Sequence, residues 1–232
     1  SAGAIPSRAG HGVSDEEWAR RMPNEFWMEV VHAVRKRAPG TLLLAEAFWM
    51  MELDFARSFG LHRVYWSAFR DWIRDGKHDE HKSWLKDVLA KEPQLLQRLC
   101  LFLSNPDEES AITVFGRGDR YWAAATLQAV MPGLPLLAHG QVEGLDERYG
   151  MEFQRPRRDE TPNAPMTAMH DRHILPLLKR RDLFGRAENF RLFEMRGTDG
   201  GRLVSVYAIA NNRADDRALV VVNCSENAVW GR

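Results

Sequence analysis

Two carboxylates stand where strands of a parallel sheet would end. Glu46 follows the apolar run 41–44, and Asp107 follows the apolar run 101–104 and an Asn-Pro turn. One carboxylic acid and one ionised carboxylate, set apart by their surroundings, can cleave a glycosidic bond by acid–base chemistry. Phe48 and Trp49, just after Glu46, would strip water from its carboxyl and raise its pKa, which suits a general acid. Asp107, beside Glu108 and after a turn, would stay solvated and ionised. The pattern alone is not specific, because the chain holds 32 acidic residues. A strand-end Glu paired with a neighbouring Arg remains open beside the catalytic reading.

Other residues offer rival chemistry. His78-Asp79-Glu80-His81 and His170-Asp171-Arg172-His173 each set two histidines at i, i+3, a spacing that can hold a metal from a helix and would suit a metal-dependent hydrolase. Both segments are so polar that a solvated face is the preferred expectation. His139, just past the run 134–138, would line a site at the strand ends or anchor a loop. Trp49 would serve as a sugar platform or as core. Arg155, Arg157 and Arg158 read as solvated charge in a loop. Asn223-Cys224-Ser225 fits a glycosylation pattern but is expected to be incidental.

The elements that must position these residues alternate. Ser14 with Glu17 forms a capping box opening a short helix. Phe26, Val30, Val31 and Val34 recur at helical spacing until Arg35-Lys36-Arg37 and Pro39-Gly40 end the next one. The run 41–44 then reads as a strand buried on both faces, the mark of a parallel sheet covered by helices. A short helix (52–59), a strand (62–69), a helix (82–99) with a break near Pro93, a strand (101–104), a helix (121–130), a strand (134–138) and a last helix (171–184) follow. Residues 146–163 form a long Arg-rich excursion, a length that in compact domains belongs to functional or mobile loops. After Asn189 short β-rich runs separated by Gly and Asp turns start an antiparallel module.

These units predict an α/β fold. Four βα units are half of a closed barrel, and three or four strands are too few for a sandwich. The expectation is the second half of a (β/α)8 barrel over residues 1–188, followed by a truncated antiparallel β-sandwich domain over 189–232. Lys plus Arg equal Asp plus Glu at 32 each, so charge gives no reason to expect nucleic acid or an anionic membrane as a partner. No run approaches the roughly 20 apolar residues of a membrane span, and no basic-then-apolar leader opens the chain. Cys100 and Cys224, without CxxC spacing, read as free thiols and lean towards a cytoplasmic location.

In order and spacing, LLLAEAFW, FLSNPDEESA and GLPLLAHGQVEG resemble the second half of the α-amylase family, glycoside hydrolase family 13, over most of residues 24–223. The resemblance implies an α-glucan-active retaining glycosidase or transglycosylase, with an oligo- or polysaccharide partner. It places the general acid/base on Glu46 and the transition-state stabiliser on Asp107, with Trp49, His139 and Asn105 binding substrate. Gly133, Pro135, Gly140 and, one residue late, Glu143 match the family's eighth-strand turn. It implies no cofactor, although many members carry a structural Ca²⁺ whose ligands would lie in the other half. Two departures stand out. Pro106 replaces the family's sugar-binding His, and the Gly-x-Arg-x-Asp motif that carries the nucleophile is not in this sequence. The missing nucleophile would come from the N-terminal half of the barrel, and this chain alone is expected to be inactive. Pro106 motivates the alternative, a catalytically inactive member that binds or scaffolds glucan.

Overall fold

The computed structural model describes residues 10, 12–47, 52–148, 150 and 152–232, with Asp54 described by its backbone alone. Two sheets organise the chain. A parallel sheet runs in the order β1 (Leu44–Ala45), β2 (Arg63–Tyr65), β3 (Leu99–Phe102) and β4 (Leu134–Leu136). Each strand is added beside its predecessor, as in barrels, without the reversal of order that marks a doubly wound sheet. An antiparallel sheet follows, in the order β5 (Phe190–Phe193), β6 (Val206–Arg213) and β7 (Asp216–Asn223).

Helices fill the intervals. α1 (Asp15–Arg21) is capped as its sequence predicts, with Glu17 N–H donating to Ser14 Oγ at 3.2 Å. α2 (Phe26–Arg37) precedes β1, and α3 (Glu52–Arg57) links β1 to β2. α4 (Ser67–Arg74) and α5 (His78–Lys91) link β2 to β3, with a tight turn over Pro93–Arg98 where Pro93 ends the helical pattern. α6 (Ala111–Phe115) and α7 (Asp119–Val130) lead to β4. The segment after β4 closes with α8 (Ala164–Met169), a π-turn (His170–Ile174), α9 (Leu175–Leu178) and α10 (Arg181–Phe184).

Three expectations change. The run 62–69 is not one strand: pairing stops at Tyr65 and α4 begins at Ser67, because Phe69, Arg70 and Ile73 bury one helical face. The last helix, expected as one piece, is broken into short turns. The first strand is two residues long and not buried on both faces: Leu42 is 54% exposed and Leu44 36%. It is the edge of the sheet, so its outer side has no neighbouring strand among the described residues. Exposed Phe26, Trp27 and Met28 of α2 add apolar surface near the same end of the chain.

The core centres on β3, all four of whose residues are fully buried. Leu85 and Leu96 on one flank and Tyr121, Leu127 and Met131 on the other are fully buried as well. The entry to β4 is fixed by two devices. Gly133 sits at φ +118, and a Cβ there would meet the Leu99 carbonyl at 2.6 Å, so only glycine fits. Arg181 donates to the carbonyls of Ala129 (2.5 Å), Met131 (3.0 Å) and Gly133 (2.8 Å), tying off the C-terminus of α7. Burial lowers its pKa to about 10.

Among the described residues no helix is long and apolar enough to cross a membrane. Both cysteines are free, Cys100 buried and Cys224 partly so.

Candidate active site

The strands fix where polar side chains can gather. Glu46 lies one residue past β1, Tyr65 ends β2, Asn105 lies three residues past β3, and His139 three past β4. All four are at the C-terminal edge of the sheet, where ligands of parallel α/β folds bind. A cleft of about 270 Å³ opens there, lined by Tyr65, Asn105, Pro106, Glu108, His139 and Arg148 among others. Its floor is apolar, with Leu136, Leu137 and Ala138.

Glu46 and Asp107 meet at this edge, with their side chains within hydrogen-bond reach. Glu46 is held above the usual carboxylate range by partial loss of water, then by the charge of Asp107 and the hydrogen bond between them. Glu46 is an exposed residue, so loss of water is only partial, and two negative charges this close disfavour each other. The expected direction therefore holds, while Phe48 and Trp49 lie outside the described residues. The Tyr65 hydroxyl is raised as well, by burial first and then by Cys100, Glu46 and Asp107. Tyr65 packs on Phe102 with ring centres 5.0 Å apart.

The turn that carries Asp107 is built from its own sequence. Asn105 is buried, and its Oδ1 accepts the backbone N–H groups of Asp107 and Glu108, each at 2.9 Å. Expected to touch substrate, Asn105 does reach the cleft wall, but its carbonyl oxygen is committed to the turn. Beneath lies Arg70, a buried guanidinium of α4. Its Nε donates to the Leu103 carbonyl at 3.1 Å, and Nη1 lies 3.0 Å from Glu108 and 3.1 Å from Asp71.

The loop bearing His139 is anchored by a buried polar chain. Gln128 donates to the carbonyls of Leu101 (3.1 Å) and Leu136 (2.7 Å), and Gln141 donates to Gln128 Oε1 at 3.1 Å. Tyr121 donates to the Gln141 carbonyl at 3.2 Å and lies 2.8 Å from His170 Nε2. His139 itself is exposed at the cleft. Farther out, the excursion is clasped by two carboxylates. Glu160 accepts from the N–H groups of Asp146 and Glu147 (2.7 and 2.6 Å), and Glu147 accepts from those of Arg157 and Arg158 (2.8 and 2.9 Å). Those two hydrogen bonds hold Glu147 below the usual carboxylate range.

The histidine pairs are not solvated faces, as the sequence suggested. His78 and His81 are buried where α5 meets β6, both Nδ1 atoms facing Tyr207 Oη at 3.4 and 2.9 Å. His81 stacks on Trp72, and burial pushes its pKa down to about 3. His170 is buried against Tyr121 while His173 faces outward. His78 and His81 meet at the Tyr207 hydroxyl, whereas His170 and His173 point apart. Among the described residues no group of three or more His, Cys, Asp or Glu is placed to hold a metal ion.

Sequence reasoning missed Tyr65, Arg70, Glu108 and Arg148. Tyr65 would have been legible had the strand been ended there rather than at Phe69.

No protein-family model matches the sequence, and no curated protein matches it. Solved structures do. The chain is similar to cyclic α-maltosyl-(1→6)-maltose hydrolase from Arthrobacter globiformis, in complex with cyclic α-maltosyl-(1→6)-maltose, at 21% identity and TM-score 0.63, over 85% of this chain and 45% of that one. It is also similar to the debranching enzyme of Nostoc punctiforme (15% identity, TM-score 0.67, 88% and 45%). A noncanonic maltogenic α-amylase, AmyB from Thermotoga neapolitana, matches at 16% identity and TM-score 0.56, over 86% and 45%. The fold is that of α-amylase-type enzymes. The chain spans about half the length of the structures it matches.

Proposed function

We propose that this chain carries the general acid/base and the stabilising carboxylate of an α-glucan-active retaining glycosidase or transglycosylase. The observation that supports it most is the meeting of Glu46 and Asp107 beside the cleft. Glu46, whose carboxyl is held above the usual carboxylate range, donates a proton to the glycosidic oxygen and then takes one from the acceptor, water or a sugar hydroxyl. Asp107 faces the positive charge that develops on the sugar ring. His139 and Trp49 contact substrate, and Asn105 serves the site through the turn it holds.

The nucleophile comes from residues upstream of residue 1, in the first part of a (β/α)8 barrel of which residues 1–188 form the second part. Residues 189–232 begin the β domain that follows, and the unpaired thiols of Cys100 and Cys224 support a reducing, cytoplasmic setting. A retaining mechanism needs that nucleophile, so this chain alone does not turn over. The substrate class rests on the matched structures, a cyclic α-maltosyl-(1→6)-maltose hydrolase, a maltogenic α-amylase and a debranching enzyme.

An assay of the longer protein on α-1,4- and α-1,6-linked gluco-oligosaccharides tests this reading. Cleavage or transfer, nearly abolished by Glu46→Gln with folding intact, is the expected result; undiminished activity in the variant overturns it. Pro106, exposed on the cleft wall where a sugar-binding His is usual, favours a second reading: binding of glucan without any turnover.

A further inference from the structure

We infer that Arg70 is a positioning residue for Asp107: from beneath the strand end it grips both sides of the turn that holds this carboxylate against Glu46. The inference rests on the proposed role of that pair. Arg70 belongs to α4, the helix after β2, yet its guanidinium is spent on the end of β3. Nε donates to the Leu103 carbonyl before the turn, and Nη1 forms an ion pair with the Glu108 carboxylate after it. The carboxamide of Asn105 fixes the interior of the same turn. Pro106 adds a fixed φ but no N–H, and the backbone closes the turn with a single long bond of its own, Glu108 N–H to the Asn105 carbonyl at 3.3 Å.

The charge pattern fits a clamp rather than an incidental ion pair. Arg70 is 3% exposed, whereas Asp71 and Glu108 retain 42% and 34% of their side-chain exposure. A buried guanidinium is tolerated only with its donors engaged; besides Asp71 on its own helix, the acceptors here are the two ends of one turn. The planar fork allows both contacts at once; a lysine ammonium reaches one. Glu108 lines the cleft, and its carboxylate is thereby drawn towards Arg70.

The titration of Glu46 reports whether Asp107 is in place, because the neighbouring carboxylate is among the causes that raise it. Carbon-13 carboxyl NMR on this chain would compare wild type with Arg70→Met, Arg70→Lys and Glu108→Gln. The clamp predicts that Arg70→Met brings Glu46 down towards an ordinary glutamate, Arg70→Lys restores part of the shift, and Glu108→Gln moves it in the same direction by less. An unchanged Glu46 titration in folded Arg70→Met overturns the inference. If that variant does not fold, Glu108→Gln decides, and no movement there overturns it equally. In the longer protein, Arg70→Met should lower kcat by up to about 100-fold with little change in KM, the signature of a misplaced group acting in the transition state. Absence of turnover in wild type would count against the proposed function and leave the titration result standing.

Discussion

The two carboxylates of the candidate site stand on unlike ground. Asp107 leaves β3, whose residues are all buried between neighbouring strands and helices, and its turn is held by Asn105 and Arg70. Glu46 leaves β1, a two-residue edge strand with Leu42 and Leu44 exposed. Fully burying one side chain of this size is worth about 1.5–3 kcal/mol, so β3 is anchored by several such contributions and β1 by few. On the proposed reading the stabilising carboxylate follows a buried strand, while the acid follows an exposed edge strand of the same sheet.

The contrast can be broken most directly in the two strands. Leu101→Ala should cost about 2–5 kcal/mol, the range for a cavity in a core with no room to collapse. Leu44→Ala should stay within about 0.5 kcal/mol, as exposed substitutions do. Urea unfolding of the two variants measures both, and equal costs would erase the distinction.

A second test concerns the junction between the parallel sheet and the β5–β7 sheet. His81 faces Tyr207, His78 and Lys82 from α5 and β6, and its pKa of about 3 lies below the 6.5 of the unfolded chain. The fold therefore holds the neutral ring. Its stabilisation is complete above about pH 6.5 and is lost as pH falls from there towards 3. Thermal melts from pH 7.5 to 4 should show the wild type losing stability more steeply than His81→Gln. Parallel slopes would remove His81 from the acid sensitivity of this junction.

Much of this was legible in advance, for reasons that differ by residue. The β/α order, the Ser14 cap and the stop at Pro93 are local matters of periodicity, capping and a missing N–H, so sequence carries them. The positions of Glu46 and Asp107 at strand ends followed from the same patterns. Burial was not local. The run 41–44 reads as a two-sided core strand, but its exposure depends on which strands lie beside it. Arg70 escaped notice because Leu103, its partner, is 33 residues away. His78 and His81 look solvated among acids and bases, but Tyr207, 126 residues after His81, and Trp72 help bury His81.

A smaller effect sharpens the picture of the turn. Asn105→Ala leaves the amides of Asp107 and Glu108 without their acceptor; water reaches part of this turn, so the loss should be about 1 kcal/mol. The amide exchange of those two residues should quicken well before that of β3.

The central claim is that Glu46 acts as the acid and Asp107 as the stabiliser of one reaction. The most direct measurement is turnover by the longer protein, as wild type, Glu46→Gln and Asp107→Asn, on an oligosaccharide and on α-glucosyl fluoride. Fluoride leaves without protonation, so loss of the acid is bypassed in the step that breaks the glycosidic bond. The account predicts that Glu46→Gln is crippled on the oligosaccharide and largely spared in fluoride release, while Asp107→Asn is slow on both. Equal loss on both substrates for Glu46→Gln, or no loss on either, would contradict it.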